Sequence, residues 1–214
     1  MLMEKERTEI AEAGRTLLAL GLTKGTGGNL SIFNLKKGLF ALSPSGMDYT
    51  EITPADVVIM NLKDEVVEGA RKPSTEYALH RILYQNRPDI RAVLHVHAVY
   101  TSALSCMRQP ILPLHYLTAY GGGPDVPCAE YATFGTAKLA ENACRAMKGR
   151  KAVLLANHGL LTGTATLKEA LNIADELEFC AKLQCITKAM GGAVLLDEQE
   201  MLRNVEKFHD YCQP

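Results

Sequence analysis

Hydrophobic and polar positions alternate along this chain with two periods, one typical of helices and one typical of strands. In residues 4–20 the apolar Ile10, Leu17 and Leu18 fall on one side of a helix, and Gly21 is placed to end it. The same period predicts helices at 75–86, 135–148 and 167–190. Short apolar runs predict strands at 29–34, 38–43, 57–61, 91–97 and 151–156.

These elements predict one α/β domain over residues 1–214, with helices packed on a mostly antiparallel or mixed sheet. The chain has 214 residues, with 23 Lys and Arg against 24 Asp and Glu, so no basic excess points to nucleic acid. Its longest apolar runs, such as Ala152–Ala156, fall far short of the roughly 20 residues that span a bilayer. The charged N-terminus, Met1–Arg7, lacks the apolar core of a signal peptide, so we expect a cytoplasmic protein with no membrane partner.

The six cysteines include no C-x-x-C pair, and several lie in apolar helical contexts. We expect them to be small buried thiols rather than disulfides.

Three histidines and one carboxylate form a candidate metal site. In a strand, residues i and i+2 face the same way, so His95 and His97 project together, about 6.6 Å apart at the backbone. An H-x-H pair alone is also typical of two surface histidines. However, His158 follows a buried strand at a turn, and Glu76 lies near the start of a helix. Three imidazoles and a carboxylate are typical of a catalytic zinc or manganese site.

Three loops rich in glycine and short hydroxyl residues form a second candidate site. Their backbone N–H and side-chain O–H groups suit a phosphate, although each loop alone is also typical of an ordinary turn. The first lacks the Gly-Lys-Ser/Thr ending of a nucleotide-binding P-loop, so nucleotide binding is disfavoured. The loops are Gly25–Asn29, Ser43–Gly46 and Pro73–Thr75.

Six motifs in order resemble the class II aldolase and adducin-head family, over about residues 4–211. Within that family, the resemblance is greatest to the aldolases that act on L-fuculose 1-phosphate. The motifs are Gly25-Thr26-Gly27-Gly28-Asn29-Leu30-Ser31, Ser43-Pro44-Ser45-Gly46, Pro73-Ser74-Thr75-Glu76, His95-Val96-His97-Ala98, Tyr131-Ala132-Thr133-Phe134-Gly135-Thr136 and Asn157-His158-Gly159-Leu160.

The resemblance implies a role for each matching residue. His95, His97 and His158 would be the metal ligands, and Glu76 would be both a ligand in the resting site and the catalytic acid/base. The metal would be one divalent ion per subunit, with Zn²⁺ expected first and Mn²⁺ or Co²⁺ as alternatives. The positions implied to bind substrate phosphate are Thr26, Gly28, Asn29, Ser45, Gly46, Ser74 and Thr75.

Three aromatic residues complete the set that the resemblance implies. Tyr116 matches a tyrosine that protonates the leaving oxygen across a subunit boundary, and Tyr211 matches a C-terminal tyrosine that closes over the substrate. Phe134 would line the aldehyde pocket. The family also implies a homotetramer with active sites at the subunit boundaries.

The expected reaction is reversible cleavage of a ketose 1-phosphate, with L-fuculose 1-phosphate first, to dihydroxyacetone phosphate and L-lactaldehyde. A divalent cation would stabilise the enediolate that the broken carbon–carbon bond leaves. Aldolases for 5-deoxyribulose or methylthioribulose 1-phosphate, L-ribulose-5-phosphate 4-epimerase and methylthioribulose-1-phosphate dehydratase remain alternatives within the family. Outside the family, a Schiff-base aldolase would need a buried lysine. Adducin heads share the fold as non-enzymatic interaction modules, but such a module would lack the complete metal site.

Two other histidines lie near these candidate residues in the sequence. His80 lies four residues after Glu76 on the same helix face, but we expect it to be a solvated helix residue. His115, beside Tyr116, is typical of either a group that supports the site or a surface histidine.

Overall fold

A single eight-stranded sheet forms the centre of the computed structural model, which describes the backbone of residues 1–211 and the side chains of residues 1–208. The strand order is β4-β3-β2-β1-β5-β8-β7-β6, and every neighbouring pair is antiparallel except β6 and β7. The strands are β1 (Asn29–Asn34), β2 (Leu39–Leu42), β3 (Val58–Asn61), β4 (Val66–Glu68), β5 (Ala92–Val96), β6 (Cys128–Ala129), β7 (Ala152–Leu155) and β8 (Gly159–Thr164).

Within the described backbone, six α-helices and one short 3₁₀ helix accompany the sheet. Thr166 begins the longest helix by accepting a hydrogen bond from the backbone N–H of Glu169, as an N-capping side chain does. The helices are α1 (Glu4–Ala19), α2 (Tyr77–Asn86), α3 (Val99–Cys106), α4 (Ala137–Ala146), α5 (Leu167–Ala189) and α6 (Glu198–Tyr211), and the 3₁₀ helix is Tyr116–Gly121.

The sheet separates two apolar cores, because alternate residues of each strand face opposite sides. On one side Leu94 and Val96 of β5 pack in the same core as Leu177 of α5. On the other side Val93 shares a core with Leu83 of α2. Since β5 is buried on both faces, a polar side chain in it needs a specific partner.

The α/β class, the mixed and mainly antiparallel sheet and the nine predicted elements are confirmed, with ends that differ by up to two residues. The hydrophobic pattern did not predict α3, α6, the 3₁₀ helix or the strands β4, β6 and β8. Strand β8 carries two glycines and follows a tight turn, and β6 has only two residues. Such segments give little periodicity to recognise.

The cysteines that the structure describes are all free thiols. Cys180 is fully buried as expected, but Cys106 is exposed, so the prediction of burial is wrong for that residue. Among the described residues, no helix is both long and apolar enough to cross a membrane.

Candidate active site

Three imidazole rings converge at one end of the central strands. His95 lies within β5, His97 follows its last residue, and His158 lies in the turn between β7 and β8. The Nε2 atom of His95 is 2.9 Å from Nε2 of His97 and 3.1 Å from Nε2 of His158. One ligand nitrogen from each of the three rings lies within 4.8 Å of the others, so the rings could hold one metal ion.

Burial keeps the imidazoles of His95 and His97 neutral, which is the form that binds a metal. Burial lowers the pKa of His95 well below its ordinary value, and the neighbouring His158 and His97 lower it further. Burial and His158 lower the pKa of His97 to about 4. The Nδ1 atom of His95 is 2.9 Å from the carbonyl oxygen of Leu160, so Nδ1 carries the proton and Nε2 presents its lone pair to the cluster.

Two glycines allow the backbone to pass close to this cluster. Gly28 has a φ of 76°, and a Cβ atom there would lie only 2.5 Å from the carbonyl oxygen of His95. A Cβ atom on Gly159 would overlap the carbonyl oxygen of Val96 and would lie 3.0 Å from the ring of His97. The motifs around these glycines therefore have a packing role beside the histidines.

Glu76, the residue immediately before α2, points its buried carboxylate at the same cluster. Its Oε2 accepts a hydrogen bond of 3.0 Å from Asn29 Nδ2 and lies 3.4 Å from His95 Nε2. Its Oε1 lies 3.5 Å from His158 Nε2 and, among the described residues, has no hydrogen-bond partner. A buried carboxylate oxygen without a partner is costly, whereas a cation between it and the three nitrogens would satisfy all four groups.

The three predicted phosphate loops are joined by hydrogen bonds. The backbone N–H of Ser74 donates to the carbonyl of Ser43 over 3.2 Å, and that of Ser45 donates to Lys72 over 2.9 Å. Ser43 Oγ accepts from the N–H of Leu30, which follows the first loop. The structure thus brings the loops together beside Glu76. Thr26, Ser45, Gly46 and Thr75 are exposed there, whereas Asn29 and Ser74 are buried.

Asn29 was predicted to bind substrate phosphate, but both ends of its side-chain amide already have hydrogen-bond partners within the chain. Oδ1 contacts His80 Nε2 at 2.5 Å, and Nδ2 donates to Glu76. Within this chain, its amide faces the carboxylate.

Among the described residues, no ring contact joins Tyr116 or Phe134 to His95, His97 or His158. The ring of Tyr116 is 47% exposed and packs on His115 and Phe208. Phe134 is 66% exposed, and its neighbour Gly135 packs on the Thr75 backbone, so this loop borders the phosphate loops. The side chain of Tyr211 lies outside the described residues.

The prediction that His80 is solvated is wrong, because its ring is completely buried. It contacts Ser31 on one side and Asn29 on the other, and neither Ser31 nor Tyr84 was assigned a role from the sequence. The available signal was the spacing of Glu76, His80 and Tyr84, which places three polar groups on one helix face. His115 is half-buried, and its ring accepts from the N–H of Leu117 within the 3₁₀ helix.

Comparison with known proteins places the chain among enzymes. The pattern of the Class II Aldolase and Adducin N-terminal domain family matches residues 8–185. The 5-deoxy-D-ribulose 1-phosphate aldolase of Bacillus thuringiensis serovar kurstaki is 49% identical over 213 residues, which cover 100% of both proteins. The L-fuculose phosphate aldolase of Escherichia coli O6:H1 is 39% identical, covering 95% of this chain and 94% of that protein.

A solved structure gives the same result. An L-fuculose 1-phosphate aldolase superposes with a TM-score of 0.95 at 48% identity, covering 98% of each chain. The chain therefore belongs to the Class II Aldolase and Adducin N-terminal domain family, as a class II aldolase that acts on a sugar phosphate.

Proposed function

We propose that the protein reversibly cleaves a ketose 1-phosphate to dihydroxyacetone phosphate and a short aldehyde at the site around His95, His97, His158 and Glu76. The carrying observation is the unpartnered Oε1 of Glu76 beside three converging imidazole nitrogens. This donor set suits Zn²⁺ first, and it also accepts Mn²⁺ or Co²⁺. A divalent cation bound there polarises the carbonyl group of the ketose and stabilises the negative charge that develops on its oxygen.

Glu76 transfers the proton at carbon C3 of the ketose. In cleavage the C4 hydroxyl loses its proton, the C3–C4 bond breaks, and the aldehyde departs while C3 gains a proton. Glu76 in its carboxylic acid form supplies that proton to C3 and is left as a carboxylate, and the proton released by the C4 hydroxyl balances the one that C3 gains. In the reverse direction the Glu76 carboxylate removes the C3 proton and the C4 oxygen gains one. With Oε2 held by Asn29, Oε1 is the oxygen that would leave the cation when the ketose binds and make this transfer.

The three loops bind the phosphate of the substrate. On these loops Thr26, Ser45, Gly46 and Thr75 are exposed, Gly28 is partly buried, and Asn29 and Ser74 are buried. Binding energy from a phosphate remote from the breaking bond orients the ketose without taking part in the chemistry. Phe134, on the loop that borders them, lines the aldehyde end.

The remaining tyrosines act in an assembly. Tyr116 is exposed, and its described ring contacts are with His115 and Phe208 rather than with His95, His97 or His158, which supports a role in the site of a neighbouring subunit. There it would handle the proton at the C4 oxygen, and Tyr211 would close over the substrate. We therefore propose a homotetramer with sites at its subunit boundaries.

The first experiment measures deuterium exchange at C3 of dihydroxyacetone phosphate in heavy water, since this half-reaction needs no aldehyde. We expect exchange by the zinc-loaded protein, none after chelation, and a loss of at least about 100-fold in Glu76→Gln. The matched control, Glu141→Gln, removes an exposed carboxylate from α4 and should keep wild-type exchange. A zinc-loaded protein that shows no exchange would refute the aldolase proposal and favour the epimerase or the dehydratase.

The substrate is then identified by its aldehyde. The names of the relatives support two ketoses, 5-deoxy-D-ribulose 1-phosphate and L-fuculose 1-phosphate, which would release acetaldehyde and L-lactaldehyde. Both share the dihydroxyacetone phosphate end, so the phosphate loops serve both equally. Comparing kcat/KM for the two ketoses decides between them, and a ratio of tenfold or more, about 1.4 kcal/mol, would identify the better substrate.

A further inference from the structure

A line of buried polar side chains connects the interior of the protein to Glu76. Tyr84 OH lies 2.5 Å from Ser31 Oγ, which lies 2.5 Å from Nδ1 of His80. The other ring nitrogen of His80, Nε2, lies 2.5 Å from Asn29 Oδ1, and Asn29 Nδ2 donates to Glu76. This line joins α2 to β1 through side chains that are all less than 7% exposed, apart from Glu76 at 7%.

The chemistry of the two ends fixes the direction of every hydrogen bond. A carboxylate only accepts, so the amide NH₂ of Asn29 must face Glu76 and its oxygen must face His80. His80 Nε2 must then carry the ring proton, and Nδ1 must accept from the hydroxyl of Ser31. That hydroxyl oxygen is left to accept from the phenol of Tyr84.

The protonation states agree with this direction. Burial lowers the pKa of His80 to about 3, so at neutral pH its ring is uncharged and carries one N–H. Burial also raises the pKa of Tyr84, which therefore keeps its proton to donate. The opposite tautomer of His80 would place the lone pair of Nε2 against Asn29 Oδ1, an unfavourable contact of two acceptors.

Packing alone does not explain these polar groups. The ring of Tyr84 stacks on Phe33 with centroids 5.0 Å apart, and Leu79 and Leu83 belong to the same core. Apolar side chains would fill such a position without the cost of burying hydroxyl and imidazole groups. The line ends at the carboxylate that the proposed reaction uses.

We propose that His80 is a positioning residue: with Ser31 and Tyr84 behind it, it fixes the amide of Asn29 so that Nδ2 holds Oε2 of Glu76 and leaves Oε1 free for proton transfer. This inference rests on the proposed function of Glu76. Without His80 the amide could rotate and present its oxygen to the carboxylate, and Oε1 would lose its defined direction.

The activity test uses the zinc-loaded protein and the C3 exchange of dihydroxyacetone phosphate. His80→Leu should lower the exchange rate at saturating substrate by about 10- to 100-fold, the usual effect of losing a partner of a ligand. The KM for dihydroxyacetone phosphate and the zinc content should change less than threefold. His80→Gln, whose amide can donate in place of Nε2–H, should recover most of the rate.

Two further variants keep the test decisive. Tyr84→Phe removes only the hydroxyl at the far end of the line, so it should fold even if His80→Leu does not, and should lower exchange by about two- to tenfold. The matched control is Thr162→Val, which removes a buried hydroxyl that donates to Ala170 on the opposite side of the sheet. It should lower the unfolding temperature without lowering exchange.

A measurement independent of activity reads the proton on His80. Long-range ¹H–¹⁵N NMR of the metal-free protein should show the Nε2–H tautomer of His80. The Nδ1–H tautomer would overturn the inference whatever the activity. Wild-type exchange in Tyr84→Phe and His80→Leu, or equal losses in His80→Gln and His80→Leu, would overturn it while leaving the aldolase proposal intact. Absence of exchange in the wild type would instead refute the proposed function.

Discussion

Substituting Gly28 tests how closely the first loop is fitted to the histidine cluster. In Gly28→Ala the new Cβ would lie 2.5 Å from the carbonyl oxygen of His95, a backbone atom that cannot rotate away. The residue would also have to keep a φ of 76°, which costs an L-amino acid about 1–2 kcal/mol. Overpacking adds roughly 1–3 kcal/mol, so we expect a total loss of about 2–5 kcal/mol.

Gly25→Ala separates the two contributions. Gly25 lies in the same loop with a φ of 58°, but nothing lies within 4 Å of a Cβ atom there. In Gly25→Ala the free energy of unfolding should therefore fall only through backbone strain, by about 1 kcal/mol once the smaller conformational entropy of the unfolded alanine chain is counted. In a chain of this length 1 kcal/mol corresponds to roughly 2–4 °C of unfolding temperature.

Differential scanning calorimetry and zinc titration together check this reasoning. We expect Gly28→Ala to unfold roughly 4–20 °C below the wild type, and to bind zinc at least tenfold more weakly because His95 is displaced. Gly25→Ala should lose only a few degrees and should bind zinc like the wild type. If the two variants have the same unfolding temperature and zinc affinity, the close approach of Gly28 to His95 does not constrain the site.

Three other measurements test separate parts of the site. Since the pKa of His80 falls from about 6.5 to about 3 on folding, the unfolded state binds the extra proton. The contribution of neutral His80 to the free energy of unfolding is therefore lost as the pH falls below 6.5, at about 1.4 kcal/mol per pH unit. Between pH 7 and 5, the free energy of unfolding of the metal-free protein, measured with urea, should fall by about 2 kcal/mol less in His80→Leu than in the wild type. His97→Ala should abolish stoichiometric zinc binding and the rise in unfolding temperature that excess zinc gives the wild type, as measured by elemental analysis and calorimetry. Tyr116→Phe should keep C3 exchange but lose ketose cleavage, and mixing it with Glu76→Gln should restore cleavage through hybrid sites if Tyr116 acts across a subunit boundary.

Local spacing was sufficient to bring most of the candidate site together. His95 and His97 share a strand face through their i, i+2 spacing, and His158 lies in the turn that the strand pattern predicted. The burial of His80 could not be predicted in this way. Helical spacing places it on the face of Glu76, but whether that face meets solvent or the sheet depends on how α2 packs.

Strand β8 is a part of the fold that the sequence pattern could not predict. Its six residues are all buried, and it pairs with β5 so that His95 lies opposite Leu161. Two glycines interrupt its apolar run, so the sequence carries little strand signal there. Its pairing with β5 places the Leu160 carbonyl against Nδ1 of His95, and this contact fixes the tautomer of a candidate metal ligand.

The different surroundings of the two Glu76 oxygens follow from two short periodicities joined by one long-range pairing. Residues 76, 80 and 84 repeat every four positions on one face of a helix, and residues 29 and 31 repeat every two on one face of a strand. Pairing of β1 with β5 sets Asn29 opposite His95, which places its amide between the carboxylate and the ring of His80. A slip of one residue would turn Leu30 toward Glu76 in place of Asn29. Each periodicity is visible in the sequence, but only the register of the sheet makes them meet at one carboxylate.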